Sequence, residues 1–143
     1  VAFAPAAWLA QALAQELQRW AVVLPAAVEP PEALAERRRF LDAATYAFDV
    51  VPAGRSFVSL SHDARLVLPP AGRNLHVACV TDAAAALAPF GPQLTCVAVR
   101  GPVALRLQLQ SALPGARCCQ LGEMQRPPLD GPVDLRAHAA AAS

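Results

Sequence analysis

Between residues 74 and 121 three short apolar runs, 74–80, 93–99 and 116–121, are separated by two stretches of helical length, 82–90 and 103–113. Strands that follow one another through connections this long pair in parallel, because a tight hairpin cannot bring two strands side by side in the same direction. Such crossovers are right-handed, so the pattern predicts a β-α-β-α-β unit and an α/β fold. Upstream, 5–20 places Leu9, Leu13, Leu17 and Trp20 at helical spacing, with Gln11, Gln15, Gln18 and Arg19 elsewhere on the wheel. Pro31 suits the first position of a second helix running to residue 47, with Glu32 and Glu36 near its positive end. Arg37, Arg38 and Arg39 lie within that helix. Glu36 with Arg39 and Arg38 with Asp42 are spaced for weak ion pairs on a solvated face. Residues 48–51, 56–60 and 65–68 read as short strands of a meander. The sequence thus divides into a helical part (1–47), short strands (48–69), a β-α-β-α-β unit (73–121) and a Pro-rich loop and tail (122–143), forming one α/β domain.

The 143 residues, 55% of them hydrophobic and 16% charged, suffice for one sizeable core. High hydrophobicity with a net charge of only +1 excludes a disordered chain. The 12 basic residues are all arginine and only Arg37–Arg39 cluster, so there is no basic face of the kind that tracks phosphates and no nucleic-acid partner is expected. Gln, Arg, Glu, Asp or Pro interrupts every apolar run before the roughly 18 residues of a membrane span. Residues 1–14 lack a basic n-region, so no secretory signal is read there. Abundant Ala, Arg and Pro without Lys suggests GC-rich coding, which discounts Ala as a structural signal and leaves Leu, Val, Phe and Trp to carry the pattern.

Cys79, Cys96, Cys118 and Cys119 lie in apolar segments without metal-type spacing. Buried thiols in a reducing cytoplasm are expected, with Cys118 and Cys119 on opposite faces of one strand. His62, His76 and His138 share no ligand spacing with each other or with the cysteines, and no metal site is predicted. His76 falls mid-strand and reads as a core or half-buried hydrogen-bonded residue; His138 reads as solvated. Ser61-His62-Asp63 holds the residue types of a hydrolase triad, but consecutive residues cannot converge on one substrate, so it reads as a turn. No glycine-rich phosphate cradle is present. Asp130 and Asp134 lie in a Pro-rich loop, which does not establish a carboxylate pair.

Ala71-Gly72-Arg73-Asn74 leading into Leu75-His76-Val77, then residues 94–99, then Gly115-Ala116-Arg117 leading to Leu121-Gly122-Glu123-Met124-Gln125-Arg126-Pro127-Pro128-Leu129-Asp130, is an order similar to that of the LuxC-like acyl-CoA reductases of the aldehyde dehydrogenase superfamily. The resemblance covers nearly the whole chain, and its most specific stretch is 121–134. It implies the C-terminal part of a catalytic domain that reduces a fatty acyl thioester to an aldehyde with NADPH, by cysteine attack and hydride transfer. In that family the nucleophile and the dinucleotide fold lie upstream of the matching region, and Val1 in place of Met fits a chain preceded by further sequence. No catalytic or cofactor residue is therefore expected here. The family-motif positions are Gly72, Arg73, Leu121, Gly122, Met124, Pro127, Pro128 and Asp134. Where the family continues Trp-Pro-His-Asp-Gly, this chain has Gly131-Pro132-Val133-Asp134-Leu135. The implied partners are a complementary catalytic and dinucleotide-binding portion, the acyl thioester and further copies of the chain. The competing reading is a non-catalytic binding or assembly module derived from the same fold.

Overall fold

The computed structural model describes residues 4–25, 28–61, 63 and 65–127. It is a mixed α/β structure that divides into two compact units, Val1–Thr81 and Asp82–Ser143.

The first unit begins with helix α1 (Ala4–Val23) and helix α2 (Pro31–Ala47). Strands β1 (Asp49–Ala53), β2 (Ser56–Ser61) and β3 (Leu75–Ala78) follow. Pro31 does open α2, and the Phe48 N–H closes it on the Ala44 carbonyl at 2.8 Å. Strands β1 and β2 form an antiparallel hairpin with Ala53 opposite Ser56. The two-residue loop between them starts with Gly54 at φ +66°, a left-handed conformation that glycine adopts without strain. β2 is the central strand of the sheet, in the order β1-β2-β3.

The face of α1 that packs on this sheet is not the one marked by its large residues. Ala6, Ala10 and Ala14 are buried, with Ala10 at 0% exposure, and they form one core with Ala53, Val58 and Leu60. Leu13 and Leu17 flank that core, but Leu9 is 42% exposed and Trp20 53% exposed. Alanines at i, i+4 and i+8 make a smooth stripe that lets a helix lie close on a sheet. The alanine content is thus structural. The large residues expected to carry the pattern are divided between the rim of the core and solvent.

On the other face of β2, Phe57 stacks on Phe40 of α2 with ring centroids 5.3 Å apart. Ser59 and Ser61 are fully buried on the same side. The Ser61 hydroxyl donates to the carbonyls of Asp63 (3.1 Å) and Arg65 (2.9 Å). These bonds account for the absence of the third meander strand expected at 65–68: the Arg65 carbonyl is held by side chains rather than a ladder, and Pro69 and Pro70 follow at once. Arg37 is the member of the arginine run that finds partners, pairing with Glu29 at 3.0 Å and donating to the Arg55 carbonyl. Neither Glu36–Arg39 nor Arg38–Asp42 forms an ion pair among the described residues.

The second unit contains α3 (Ala83–Leu87), a 3-10 turn (Ala88–Gln93), β4 (Cys96–Val99), α4 (Val103–Ala112) and β5 (Arg117–Gln120). Asp82 caps α3 by accepting the Ala85 N–H at 3.1 Å. β4 and β5 are parallel, Cys96 opposite Arg117 and Val99 opposite Gln120, with α4 as the crossover. Leu109 and Leu113 pack with Val99 and Ala116 to form its core.

The expected three-stranded β-α-β-α-β unit is therefore corrected. Its last two strands pair as predicted, but β3 runs parallel to β2, with Ser59 opposite His76. The connection from β2 to β3 is long enough to serve as a parallel crossover, its residues 65–74 form no helix, and β2 has a free edge to receive the strand. Among the described residues no helix is long and apolar enough to cross a membrane.

Candidate functional site

The motif segment emerges from the carboxyl end of β5, the end at which open parallel sheets present ligand-binding loops. The Leu121 N–H bonds the Val99 carbonyl at 3.2 Å, extending the ladder by one residue. Gly122 then turns the chain at φ +97°, where a side chain would be strained. The loop is wound tightly, with Glu123 N–H on the Gln120 carbonyl and Arg126 N–H on the Glu123 carbonyl, both at 3.0 Å. The Glu123 carboxylate accepts the Gln120 N–H at 3.3 Å, and the Arg117 guanidinium donates to the Met124 carbonyl. A polar chain of contacts thus fastens the loop to the strand. A cavity of about 330 Å3 opens at the strand ends, lined by Val99, Arg100, Gly101, Gln120 and Leu121.

The motif positions do not gather in one place. Leu121 is 61% exposed beside that cavity, Met124 is exposed and Pro127 half-buried. Gly72, at φ +119°, and Arg73 belong to the first unit, in the turn before β3. They line another cavity, of about 430 Å3, with Glu29, Arg55 and Ser56. The Arg73 guanidinium donates to the Leu24 carbonyl, tying that turn to the end of α1. Pro128 and Asp134 lie outside the described residues, as do His62, His138 and Asp130.

The thiols differ from one another. Cys79 falls just after β3 and is exposed, which corrects its expected burial. Cys96 and Cys118 are half-buried and Cys119 is buried. Cys118 packs into the core of the second unit, while Cys119 places its Sγ 3.5 Å from that of Cys96. Neighbouring residues of one strand face opposite ways, and here one thiol serves the core and the other meets a thiol of the next strand. Burial pushes the Cys118 thiol pKa up, the neighbouring Cys119 adds to this and Arg106 opposes it. Burial also pushes Cys119 up, with the Cys96 hydrogen bond and charge reinforcing the shift and Arg117 opposing it. Both are kept as thiols, the opposite of what a nucleophilic cysteine needs.

One pair in the first unit has the composition of a nucleophile and base. Ser59 Oγ lies 2.9 Å from His76 Nδ1, and His76 Nε2 lies 3.2 Å from the Arg65 carbonyl. A carbonyl only accepts, so Nε2 carries a proton; in the neutral ring Nδ1 then accepts from the Ser59 hydroxyl, whose Oγ also lies 3.4 Å from the Leu75 carbonyl. The base is oriented by main chain rather than by a carboxylate, the Phe48 ring stands edge-on to the imidazole at 5.1 Å, and Ser59 has no exposed surface. The pair satisfies polar groups inside the unit, and His76 is half-buried and hydrogen-bonded, one of the two places read for it. Serines at alternate positions of one strand, Ser59 and Ser61, were the available sequence signal for this buried network.

Among the described residues no three His, Cys, Asp or Glu side chains converge on a possible metal position. The turn after β4, Arg100-Gly101-Pro102, does not fit a dinucleotide: it has a single glycine, and Pro102 has no N–H to offer a phosphate. No protein-family model, curated protein or solved structure matches the chain.

Proposed function

We propose that this chain forms the C-terminal part of the catalytic domain of an acyl-CoA reductase of the aldehyde dehydrogenase superfamily, acting on a fatty acyl thioester in a reducing cytoplasm. The observation that supports the reading is the position of residues 121–127: this described part of the stretch most similar to that family, 121–134, lies at the carboxyl ends of parallel strands, beside a cavity. In this reading NADPH and the nucleophilic cysteine belong to a complementary portion. This chain supplies the packed β4-α4-β5 support and the loop fastened by Arg117 and Glu123. The test combines the chain with the nucleophile- and dinucleotide-bearing portion of such a reductase and follows NADPH oxidation with a long-chain acyl-CoA. Activity that requires both parts, and that falls when Gly122→Val distorts the loop, supports the reading. A stable complex with no thioester reduction overturns it.

A second reading is a non-catalytic binding or assembly module, also forming homo-oligomers. It is favoured by the apolar surface of α1, where Trp8, Trp20, Val22 and Val23 are exposed. Light scattering and the activity assay together distinguish it: self-association weakened by Trp20→Ser, with no thioester reduction when the complementary portion is added, supports the module, and a monomer at all concentrations removes its support.

A further inference from the structure

Beside the thiols of the second unit, positive charge accumulates without matching negative charge. Arg106 of α4, Arg117 of β5 and Arg126 of the following loop line one cavity of about 350 Å3, together with Cys118, Cys119 and Glu123. The one carboxylate among these side chains already accepts a main-chain N–H through its Oε2. Arg117 is half-buried; one terminal nitrogen is engaged by the Met124 carbonyl, and its Nε is enclosed without a hydrogen-bond partner. Arg106 and Arg126 make no side-chain hydrogen bond or ion pair among the described residues.

Three guanidiniums around one partly enclosed volume repel each other, and an enclosed N–H with no acceptor adds the cost of lost hydration. A bound oxyanion offsets both. Guanidinium forks match the paired oxygens of phosphate and carboxylate groups, and they give up hydration more readily than an ammonium does. Set against Glu123, the three arginines leave an excess of two positive charges. A monocarboxylate would neutralise half of that excess, and a phosphomonoester dianion neutralises it fully. The volume lies within the range of small-ligand sites and has room for an organic body behind the phosphoryl group.

We propose that this cavity binds the phosphoryl group of a small phosphomonoester through Arg106, Arg117 and Arg126. The site is independent of the reductase reading, because it needs neither a nucleophile nor a complementary portion.

The test is a titration of the full chain at fixed ionic strength in chloride, with inorganic phosphate in one arm and glycerol 3-phosphate in the other, read by calorimetry. Saturable binding in either arm is expected. Tighter binding of the ester shows that the organic body is held, and equal binding shows a site for the phosphoryl group alone. Arg106→Gln and Arg126→Gln should each weaken binding about tenfold, the scale of one charge-assisted hydrogen-bonded contact. Arg126 is exposed, so its variant leaves the fold intact. Arg19→Gln, in the first unit, should leave affinity unchanged. Phosphate should also slow alkylation of Cys118 and Cys119 while leaving Cys79 unaffected. The proposal is overturned by heats no larger than those of added chloride, by equal losses in the Arg126 and Arg19 variants, or by binding that leaves alkylation of the two thiols unchanged.

Discussion

The two units enclose their strands in different ways. In the first, β2 has partners on both edges and packing on both faces, so every residue from Phe57 to Ser61 is buried. In the second, β4 and β5 pair only with each other among the described residues, and just Val99 and Cys119 of those strands are buried. A fully enclosed strand must satisfy its polar side chains internally, and Ser59, Ser61 and His76 do so with one another and with main-chain carbonyls. An open pair has no such requirement, and half-satisfied arginines and thiols collect along it. The hydroxyl and imidazole groups around β2 are bonded internally, although Asn74 Oδ1 of the same unit is enclosed without a partner, whereas in the second unit the enclosed Arg117 Nε without a partner lies beside a cavity.

The largest effect that would sharpen this contrast is expected from the enclosed strand. Phe57→Ala removes a ring packed on Phe40, and such truncations cost about 3–5 kcal/mol. Chemical denaturation followed by circular dichroism should show the first unit unfolding at much lower denaturant. A loss below that of Val97→Ala, at a half-buried site in the second unit, would break the contrast.

Ala10→Leu places extra volume where α1 lies on the sheet and should destabilise by about 1–3 kcal/mol. Leu9→Ala, on the more exposed side, should change stability by about 0.5 kcal/mol or less. The reverse ranking, measured by the same unfolding experiment, would restore the large residues as the packing face.

Ser59→Ala leaves His76 Nδ1 without its donor and should cost about 1–2 kcal/mol. Nitrogen-detected NMR of the imidazole should show the Nδ1 resonance shifting while the Nε2 proton is retained.

The smallest effect concerns pH. The thiol pKa values of Cys118 and Cys119 are raised in the folded state, so above the unfolded thiol pKa the folded chain binds more protons than the unfolded one. Their contribution to stability is complete below the unfolded pKa and is lost as pH rises through the folded values. Unfolding followed across the alkaline range should show stability falling, and Cys118→Ala with Cys119→Ala should flatten that fall. Alkylation near neutral pH should be fastest at exposed Cys79 and slowest at buried Cys119. Rapid labelling of Cys119 would contradict its enclosure.

Much of the local structure was legible in the sequence. Pro31 started α2, the short runs 48–51 and 56–60 on either side of Pro52–Gly54 marked two strands of a meander, and the spacing of 93–121 gave β4-α4-β5. The opposite facing of Cys118 and Cys119 followed from strand geometry alone. At the candidate site, the segment from Leu121 to Pro127 was visible as a motif, but the tie from Arg117 to Met124 was not. A guanidinium's partner depends on how the chain turns at Gly122, which no spacing rule encodes.

The sequence by itself determined which segments are helices and most of the strands, because those depend on residues within a turn or two of one another: periodicity, proline and glycine. Tertiary structure decided which strand β3 joins, which stripe of α1 is buried and which thiols are covered. β3 had two possible neighbours at the level of pattern, and the free edge of β2 received it. The alanines of α1 were buried, and Leu9 and Trp20 left largely outside, because close approach of a helix to a sheet depends on the fit of both surfaces. That fit exists only once distant segments have met.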